Sequence, residues 1–571
     1  MRKIKQHISR YFPLSDTFQS YNSKALKGDL NAGLTIGIML IPQGMAYALI
    51  AGLPPEYGLY AALAPLIMYA LMGTSRHLGV GPVALVALLV ASTVNPLAET
   101  PEEYIAMSIL LALMVGGIQL LFGFLKLGFL VNLLSHPVLS GFISAAAIYI
   151  GLSQLHHLLG VESVSGGLHE ILYGIAIQFE LVSVWTLAIG VAAIAVMVMI
   201  KRKIPVVPGP VVAVAAGILL LYLTNLEEAG VEIVGEIPEG LPAFQMPLLD
   251  WDVMSALFPM AMAIALVGYM EAIAVAKAIQ QKSKEYSIDA NQELVAIGAG
   301  NIVGSFFQAF PGTGSFSRTA VSYQSGGKTV LTSLFAVAVI AVALLFLTPI
   351  FYYLPKAILG AIIMLAVYGL IDLEGFKKLW KLKHYDRYMF LATFAGTLFV
   401  GIKEGILLGV TLSVIMLLYR TARPNQTVLG RIPNTNIYRN VDQYETERQK
   451  EFLVYRFDAP LHFANAEYFR NRVSEILEQN PDTECLILDL NGVNDIDSTG
   501  LDELFELKKD LEEKGVKLHL AEVKHRVRSL INRKLSDDTD WKFYMTIEGA
   551  IKAAAKSGVD QEKIYTDTSL E

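Results

Sequence analysis

The chain of 571 residues contains a single cysteine, Cys485. One cysteine excludes an internal disulfide and a cysteine-rich metal site, and we expect neither a metal ion nor a cofactor. No segment resembles the glycine-rich loop of a nucleotide-hydrolysing protein. We therefore predict a protein that is not an enzyme and that draws energy from ion gradients.

Charged residues are also scarce. They make up 17% of the chain, whereas hydrophobic residues make up 54%. Apolar runs long enough to cross a bilayer recur from Asp29 to Tyr419, which is typical of a helical multi-pass membrane protein. Residues 1–28 are polar, and no small-residue cleavage site follows a short apolar core. We expect this segment to be a cytoplasmic N-terminus and not a cleaved signal peptide.

The apolar pattern predicts about fourteen membrane spans. Basic residues concentrate in alternate loops, for example at 201–203 and 377–387, whereas the intervening loops are acidic or uncharged. The positive-inside rule then places both termini in the cytoplasm. The predicted spans are 29–50, 57–72, 80–94, 104–124, 130–156, 181–200, 208–224, 254–277, 290–307, 314–323, 329–349, 354–371, 386–401 and 404–420.

The third and tenth spans are interrupted by glycine and proline, in Gly79-Val-Gly-Pro82 and Pro311-Gly-Thr-Gly314. Corresponding breaks in two halves of a transporter indicate inverted repeats with a binding site between two half-helices near the middle of the membrane. Each half-helix N-terminus carries about half a positive charge and unpaired N–H donors. Two facing N-termini would hold an anion. The alternative is that each break only caps or kinks a packed helix.

Arg318 follows the second of these breaks. A cation at membrane depth is costly, so it normally faces a cavity or a partner, and irregular backbone is tolerated there for the same reason. Arg318 is therefore the strongest candidate for an anion-binding residue.

Several motifs together resemble the SulP sulfate permease family. They are Ile41-Pro-Gln-Gly-Met-Ala-Tyr-Ala48, Gly52-Leu-Pro-Pro-Glu-Tyr-Gly-Leu-Tyr60, Gly73-Thr-Ser-Arg-His77, Ser140-Gly-Phe-Ile143 and Asn291-Gln-Glu-Leu294. The resemblance implies about fourteen spans in two inverted repeats of about seven, divided into core and gate domains. It also implies an elevator-like movement of the core, a homodimer and a C-terminal cytoplasmic STAS domain.

The same resemblance implies the residues of the anion site. Gln43 and Tyr47 match positions of the first span that line it, and Val83 matches the start of the third. Phe316, Ser317 and Arg318 match the opposite wall. Gln43 and Ser317 can donate hydrogen bonds, and the two aromatic rings would make a water-poor wall. The alternatives are that the Gln43 amide bonds an unwound backbone carbonyl and that Tyr47 and Phe316 only pack.

Glu271 lies in the eighth span, six residues before Lys277 and thus about 9 Å from the cytoplasmic end. A carboxylate at this depth is functional by default, and we expect Arg318 to be its partner. The resemblance implies a role in proton coupling. The alternative is a structural ion pair between Glu271 and Arg318.

After residue 420 the chain becomes charged. We predict a linker at 421–432, an α/β domain at 433–553 and a tail at 554–571, following the transport domain at 29–420. Predicted strands cover 452–457, 485–490 and 516–521, and predicted helices 464–478 and 498–514. The domain resembles the STAS fold, in which Thr499 matches a phosphorylatable position. The alternative is that Ser498 and Thr499 only cap a helix.

These observations predict a secondary transporter of a small inorganic anion, most plausibly proton-coupled uptake of sulfate across a bacterial inner membrane, with no nucleic-acid partner. Sodium-coupled bicarbonate transport and dicarboxylate transport remain alternatives. A nucleobase permease fits the architecture but not the cation at Arg318. An alternative of another class is an anion-gated sensor or channel with its STAS domain as the output.

Overall fold

The computed structural model describes Leu14 and residues 21–129, 135–162, 168–204, 208–224, 226–381, 384–534 and 541–555. Most of the predicted N-terminal segment, and residues 556–571 of the predicted tail, lie outside this set. The chain divides into two compact units, Met1–Ser413 and Val414–Glu571, and the boundary falls within the helix Ile402–Ala422, which is described with the first unit.

The first unit is helical. Its elements in chain order are α1 (Ser23–Ile50), α2 (Pro55–Tyr60), α3 (Ala64–Met72), β1 (Gly79–Gly81), α4 (Ala84–Val94), α5 (Pro101–Phe124), α6 (His136–Ser153), α7 (Leu155–Leu159), α8 (Leu168–Ile177), α9 (Val184–Lys203), α10 (Gly209–Leu223), α11 (Trp251–Ser283), α12 (Ala290–Ser305), β2 (Thr313–Ser315), α13 (Phe316–Gln324), α14 (Leu331–Val342), α15 (Lys356–Tyr368), α16 (Leu373–Lys381), α17 (His384–Ala395) and α18 (Ile402–Ala422). π-helical segments follow α14 at Ala343–Leu347 and α17 at Gly396–Val400, and a 3₁₀ segment covers Thr348–Tyr353.

Within the described residues, eight helical segments are long and apolar enough to cross a membrane. α1 is mostly buried, whereas only 28% of the most apolar stretch of α9, and of that of α18, is buried. The other predicted spans correspond to shorter or divided helices. The predicted second span, for example, is two short helices, α2 and α3. α8 is an additional helix that we did not predict, and the count of about fourteen spans stays a prediction.

Small residues let the central helices of this unit approach closely. α5 packs on α12 at Gly116 and Gly298. A Cβ on Gly116 would lie 2.7 Å from the carbonyl oxygen of Gly298, and one on Gly298 would lie 2.8 Å from that of Gly116. Within a membrane, where lipid is as apolar as leucine, such close backbone packing is a main source of helix association.

The second unit contains a six-stranded sheet in the order β4-β3-β5-β6-β7-β8. Strands β5 to β8 are parallel, and β3 and β4 are added antiparallel at one edge. Its elements are β3 (Gln426–Arg431), β4 (Tyr438–Asn440), β5 (Phe452–Phe457), α19 (Ala466–Gln479), β6 (Cys485–Asp489), α20 (Ser498–Glu513), β7 (Lys517–Ala521), α21 (His525–Lys534), β8 (Lys542–Tyr544) and α22 (Ile547–Ala555). The strands and helices predicted for the α/β domain are thus present, with ends within one or two residues of the predicted ones.

One prediction for the second unit needs correction, and another is confirmed. The linker expected at 421–432 contains β3, which pairs with β5, so the sheet begins before residue 433. β6 is buried on both faces, as its apolar sequence predicted. Burial also raises the pKa of the Cys485 thiol to about 12, so this cysteine stays protonated and unreactive.

Candidate functional site

The two predicted breaks meet in space. β1 and β2 pair antiparallel, with Gly79 opposite Ser315 and Gly81 opposite Thr313. Each strand leads directly into a half-helix: β1 into α4, whose N-cap is Val83, and β2 into α13, whose N-cap is Ser315. Neither N-cap side chain accepts a hydrogen bond from a backbone N–H of its helix. The first-turn N–H groups of both half-helices are therefore left for other acceptors.

Arg318 joins the two half-helices. It lies in the first turn of α13 and is completely buried. Its Nη1 donates to the carbonyl oxygen of Pro82 at 2.8 Å, and its Nε lies 3.4 Å from that of Gly79. Its Nη2 is buried and has no hydrogen-bond partner among the described residues. The guanidinium is thus held by the opposite half of the site while one of its donors remains unused.

Gly79 makes this arrangement possible. A Cβ on Gly79 would lie 2.7 Å from the Cβ of Arg318, closer than real side chains approach. The N–H of Gly79 also donates to Thr319 Oγ1 at 3.1 Å, and Thr319 Oγ1 in turn donates to the carbonyl oxygen of Ser315 at 2.6 Å. A glycine in β1 therefore lets the two half-helices come into direct contact.

α1 and α11 pack against both half-helices and bring further predicted residues to the site. Glu271, on α11, and Tyr47, on α1, lie close enough to Arg318 to interact with it electrostatically. Tyr47 and Gln43 are buried. Gln43 Oε1 and Glu271 Oε2 are both buried, and neither has a hydrogen-bond partner in the described part of the chain.

The expected partnership of Glu271 with Arg318 is not a direct one. Over the described residues, no ion pair or hydrogen bond joins the two side chains. The guanidinium is instead occupied by the backbone carbonyls at Gly79 and Pro82. A structural ion pair between Glu271 and Arg318, the alternative we considered, is therefore absent. Both groups keep unpaired polar atoms, which is costly in a buried site.

The remaining predicted residues differ in exposure. Val83 is buried and is the N-cap residue of α4, and its role as a backbone donor stays a prediction. Phe316 is 58% exposed, so its ring does not form the water-poor wall that we expected. Ser317 is also exposed, and its hydroxyl lies 3.2 Å from that of Ser315. The wall contributed by α13 is therefore open to solvent in this conformation.

An amide network that we did not predict supports the loop before β2. Asn301, on α12, accepts from the N–H of Gly312 at 2.9 Å and donates to the carbonyl oxygen of Gly312 at 3.1 Å. It also donates to Gln119 Oε1 at 3.0 Å. Thr313 Oγ1 donates to the carbonyl oxygen of Gly268 at 2.6 Å, next to Glu271 on α11. This network fixes the irregular backbone on which the site depends.

Two buried carboxylates were also missed. Glu293 accepts from the N–H of Thr74 at 2.7 Å and from Tyr69 OH at 2.8 Å, which holds the loop leading to β1. Asp29 accepts from the N–H groups of Lys328 and Thr329 at 2.6 and 2.9 Å, which holds the loop after α13. Glu293 lies within the Asn291-Gln-Glu-Leu294 motif, so a signal for it was present in the sequence.

In the second unit, Thr499 is exposed in the first turn of α20. The helix is capped by Asp497, whose Oδ1 accepts from the N–H of Gly500 at 2.8 Å, and not by Ser498 or Thr499 as the alternative held. Partial burial raises the pKa of Asp497, but hydrogen bonds from the N–H groups of Gly500 and Phe463 outweigh it and hold the pKa below its usual value. The cap therefore stays ionised.

Comparison with known proteins agrees with this architecture. The sulfate permease family profile matches residues 26–393, and the STAS domain profile matches residues 443–550. Probable sulfate transporter 4.2 of Arabidopsis thaliana is 38% identical over 540 residues, which cover 90% of this chain and 79% of that protein. Probable sulfate transporter Rv1739c of Mycobacterium tuberculosis is 36% identical over 544 residues, which cover 94% and 96%.

Solved structures show the same fold. Murine Solute Carrier 26 family member A9, an anion transporter in the inward-facing state, aligns with a TM-score of 0.88 at 26% identity over 96% of this chain and 95% of that one. The transmembrane domain of the cyanobacterium bicarbonate transporter BicA aligns with a TM-score of 0.60 at 26% identity, covering 69% of this chain and 98% of that one. This chain is an integral multi-pass membrane protein of the sulfate permease family of anion transporters, with a C-terminal STAS domain.

Proposed function

We propose that this protein is a secondary active transporter that takes up sulfate together with protons, and that the anion binds between α4 and α13. The observation that carries this proposal is the buried Arg318, whose Nη2 has no partner among the described residues although the rest of its guanidinium is fixed to the opposite half-helix. A buried cationic donor without a partner favours an anionic ligand, because the ligand would satisfy both its charge and its hydrogen bond.

The two half-helices would add to this attraction. Their N-termini carry partial positive charge and N–H donors without side-chain caps. Val83 and Ser317 would contribute donors at the start of α4 and α13, and Gln43 and Tyr47 would line the side formed by α1. An oxyanion with several acceptor oxygens can use all of these donors at once, whereas a neutral solute gains little from them.

Glu271 is the proposed coupling group. Its carboxyl lies near Arg318 without bonding to it, so the charged form is supported by the cation, while burial opposes it. An anion that arrives at Arg318 would compete for this support and would favour protonation of Glu271. Anion and proton would then bind together, which is symport by thermodynamic linkage.

We further propose that the core containing the site moves as in an elevator and that the present conformation opens to the cytoplasm. Exposure of Phe316 and Ser317 supports an open site, as does the similarity to a relative in an inward-facing state. The loop charges support cytoplasmic termini, and we propose a homodimer in a bacterial inner membrane, with Thr499 as a regulatory position.

Bicarbonate is a second candidate substrate, since a structural neighbour is a bicarbonate transporter and since bicarbonate can use the same donors. Counterflow into proteoliposomes with labelled sulfate and labelled bicarbonate, with and without sodium, tests both candidates. We expect sulfate counterflow without sodium and acid-stimulated net uptake. If bicarbonate counterflow is observed and requires sodium, bicarbonate and not sulfate is the substrate. Flux without a fixed anion-to-proton stoichiometry would instead indicate a channel or a sensor.

A further inference from the structure

α16 (Leu373–Lys381) separates two kinds of side chain on its surface. Its sequence, Leu-Glu-Gly-Phe-Lys-Lys-Leu-Trp-Lys, places apolar residues at positions 373, 376, 379 and 380. Lysines occupy positions 377, 378 and 381, with a single glutamate at 374. Residues three and four apart lie on one side of a helix, so the apolar and the basic residues form two separate stripes.

The rest of the chain covers the apolar stripe only in part. None of the nine residues of α16, all of which the structure describes, is buried. Leu373 is 62% exposed and Trp380 is 51% exposed. Phe376 is partly covered by the ring of Phe390, at a centroid distance of 5.1 Å. Large apolar side chains exposed in this way need an environment other than water.

The position of α16 indicates what that environment is. The helix follows the apolar helix α15 and precedes α17, and a turn at residues 369–372 separates it from α15. Nine residues span only about 13 Å, too short to cross a bilayer. A short helix with one apolar and one basic stripe at the end of a membrane helix is suited to lie along the membrane surface.

Hydrogen bonds fix the start of this helix. Asp372 Oδ1 accepts from the N–H of Gly375 at 2.7 Å, and Asp372 Oδ2 accepts from Ser140 Oγ, on α6, at 2.9 Å. The N–H of Asp372 donates to Ser144 Oγ at 3.2 Å. Near the other end, the guanidinium of Arg387 lies 4.7 Å from the ring centroid of Trp380. The orientation of the two stripes is therefore set by the fold.

We propose that α16 is a membrane-surface helix that binds anionic phospholipids, with the ammonium groups of Lys377, Lys378 and Lys381 at the lipid phosphates and with Leu373 and Trp380 at the boundary of the acyl chains. Lysines attract anionic headgroups, and tryptophan is favoured at the membrane–water boundary. The apolar stripe beside the basic one favours a membrane, which offers acyl chains next to anionic headgroups. This lipid site is separate from the proposed transport site.

The test uses the full-length protein with Trp185, Trp251 and Trp541 changed to phenylalanine, so that Trp380 is the remaining one of the four tryptophans. It is reconstituted in phosphatidylcholine vesicles that contain either brominated phosphatidylglycerol or brominated phosphatidylcholine at equal mole fraction. Bromine quenches tryptophan fluorescence at short range. We expect the anionic lipid to quench Trp380 about three- to tenfold more effectively per molecule, and we expect added salt to reduce this preference.

Two variants make the test specific. K377Q/K378Q/K381Q should lower the preference to about one, because the headgroup partners are lost. K201Q/R202Q/K203Q removes three exposed cations at the end of α9 and should leave the preference unchanged. If both lipids quench Trp380 equally in the protein with unsubstituted lysines, the proposal is overturned. It is also overturned if the two triple variants lose the preference for the anionic lipid to the same extent. If neither lipid quenches Trp380, α16 lies in water or against protein, and the proposal is overturned.

A second measurement keeps all four tryptophans. Native mass spectrometry of the detergent-purified protein counts the phosphatidylglycerol molecules that remain bound. We expect fewer to remain on K377Q/K378Q/K381Q than on the unsubstituted protein or on K201Q/R202Q/K203Q, with all three proteins monodisperse. An unchanged count in the α16 variant would contradict the proposal.

Discussion

The half-helices α4 and α13 share a backbone design but differ in chemistry. Each follows a three-residue strand, and the two strands pair with each other. α4 has an apolar first turn that follows Val83. α13 follows its N-cap Ser315 and begins with Phe316, Ser317 and Arg318. The broken backbone thus supplies two similar helix N-termini, and only one of them adds a full charge.

This difference indicates that the two half-helices would have different roles in the proposed anion site. A helix N-terminus provides about half an elementary charge together with oriented N–H groups. Arg318 provides a whole charge, which the carbonyl oxygens at Gly79 and Pro82 hold in place. We infer that α4 orients the anion and anchors the cation, while α13 provides most of the attraction.

Removal of Arg318 should have the largest effect. Arg318→Ala takes away a charge-assisted hydrogen bond of about 1.5–3 kcal/mol, a loss of roughly ten- to a hundredfold in affinity. We expect uptake into proteoliposomes to be abolished or strongly reduced while the protein stays monodisperse. Arg76→Ala, which removes an exposed arginine, is the matched control and should transport normally. Wild-type uptake by Arg318→Ala would mean that α13 does not provide the attraction.

The Glu271→Gln variant separates anion binding from coupling. Glutamine mimics the protonated carboxyl, so we expect anion exchange to survive and acid-stimulated uptake to disappear. Exchange and net uptake are measured on the same proteoliposomes, with and without an inward proton gradient. Continued accumulation of anion against its gradient by Glu271→Gln would exclude Glu271 as the coupling group.

Gly79→Ala tests whether close contact between the half-helices matters. The new Cβ would lie 2.7 Å from the Cβ of Arg318, so the contact must open. Overpacking of this kind costs about 1–3 kcal/mol, and we expect a lower thermal midpoint and a several-fold weaker anion affinity. Gly117→Ala is the control, since a Cβ there meets nothing within 4 Å. Equal behaviour of both variants would show that the contact is not needed.

Truncation after Asn425 should not change how α4 and α13 select the anion. It removes the sheet of the second unit from β3 onward, whereas both half-helices and all proposed anion-site residues precede it. We expect lower expression or a lower rate with the same ratio of sulfate to bicarbonate transport, measured by competition. An altered ratio would show that the STAS domain takes part in substrate choice.

Much of this organisation was predictable, because glycine and proline mark breaks that apolar composition alone does not. The breaks at Gly79 and Pro311 therefore led to the two half-helices and to Arg318. The pairing of β1 with β2 was not predictable, since three residues are too few to show a periodic pattern. The amide network at Asn301 depends on contacts between residues far apart in the chain, which local patterns do not contain.

In the second unit, too, local sequence patterns predict some elements and miss others. The strand at 485–489 is a continuous apolar run and was found, whereas β3, at 426–431, has a mixed sequence and was taken for part of a linker. The alternative that Ser498 and Thr499 cap α20 is wrong, because Asp497 makes the capping bond. Serine, threonine and aspartate all cap helices well, so the capping residue can be predicted from the sequence only to within one or two positions.

The pairing of β1 with β2 has a consequence for the energetics of transport. Backbone hydrogen bonds fasten the two half-helices, and Arg318 adds bonds across them. In the proposed mechanism the binding groups therefore keep the same spacing on both sides of the membrane. Without a coupled ion, such a carrier only equilibrates its solute, whatever its affinity at each face. Any accumulation by this protein must then come from the concentration ratio of the coupling ion and the membrane potential, and its sulfate ratio at steady state would measure the coupling stoichiometry directly.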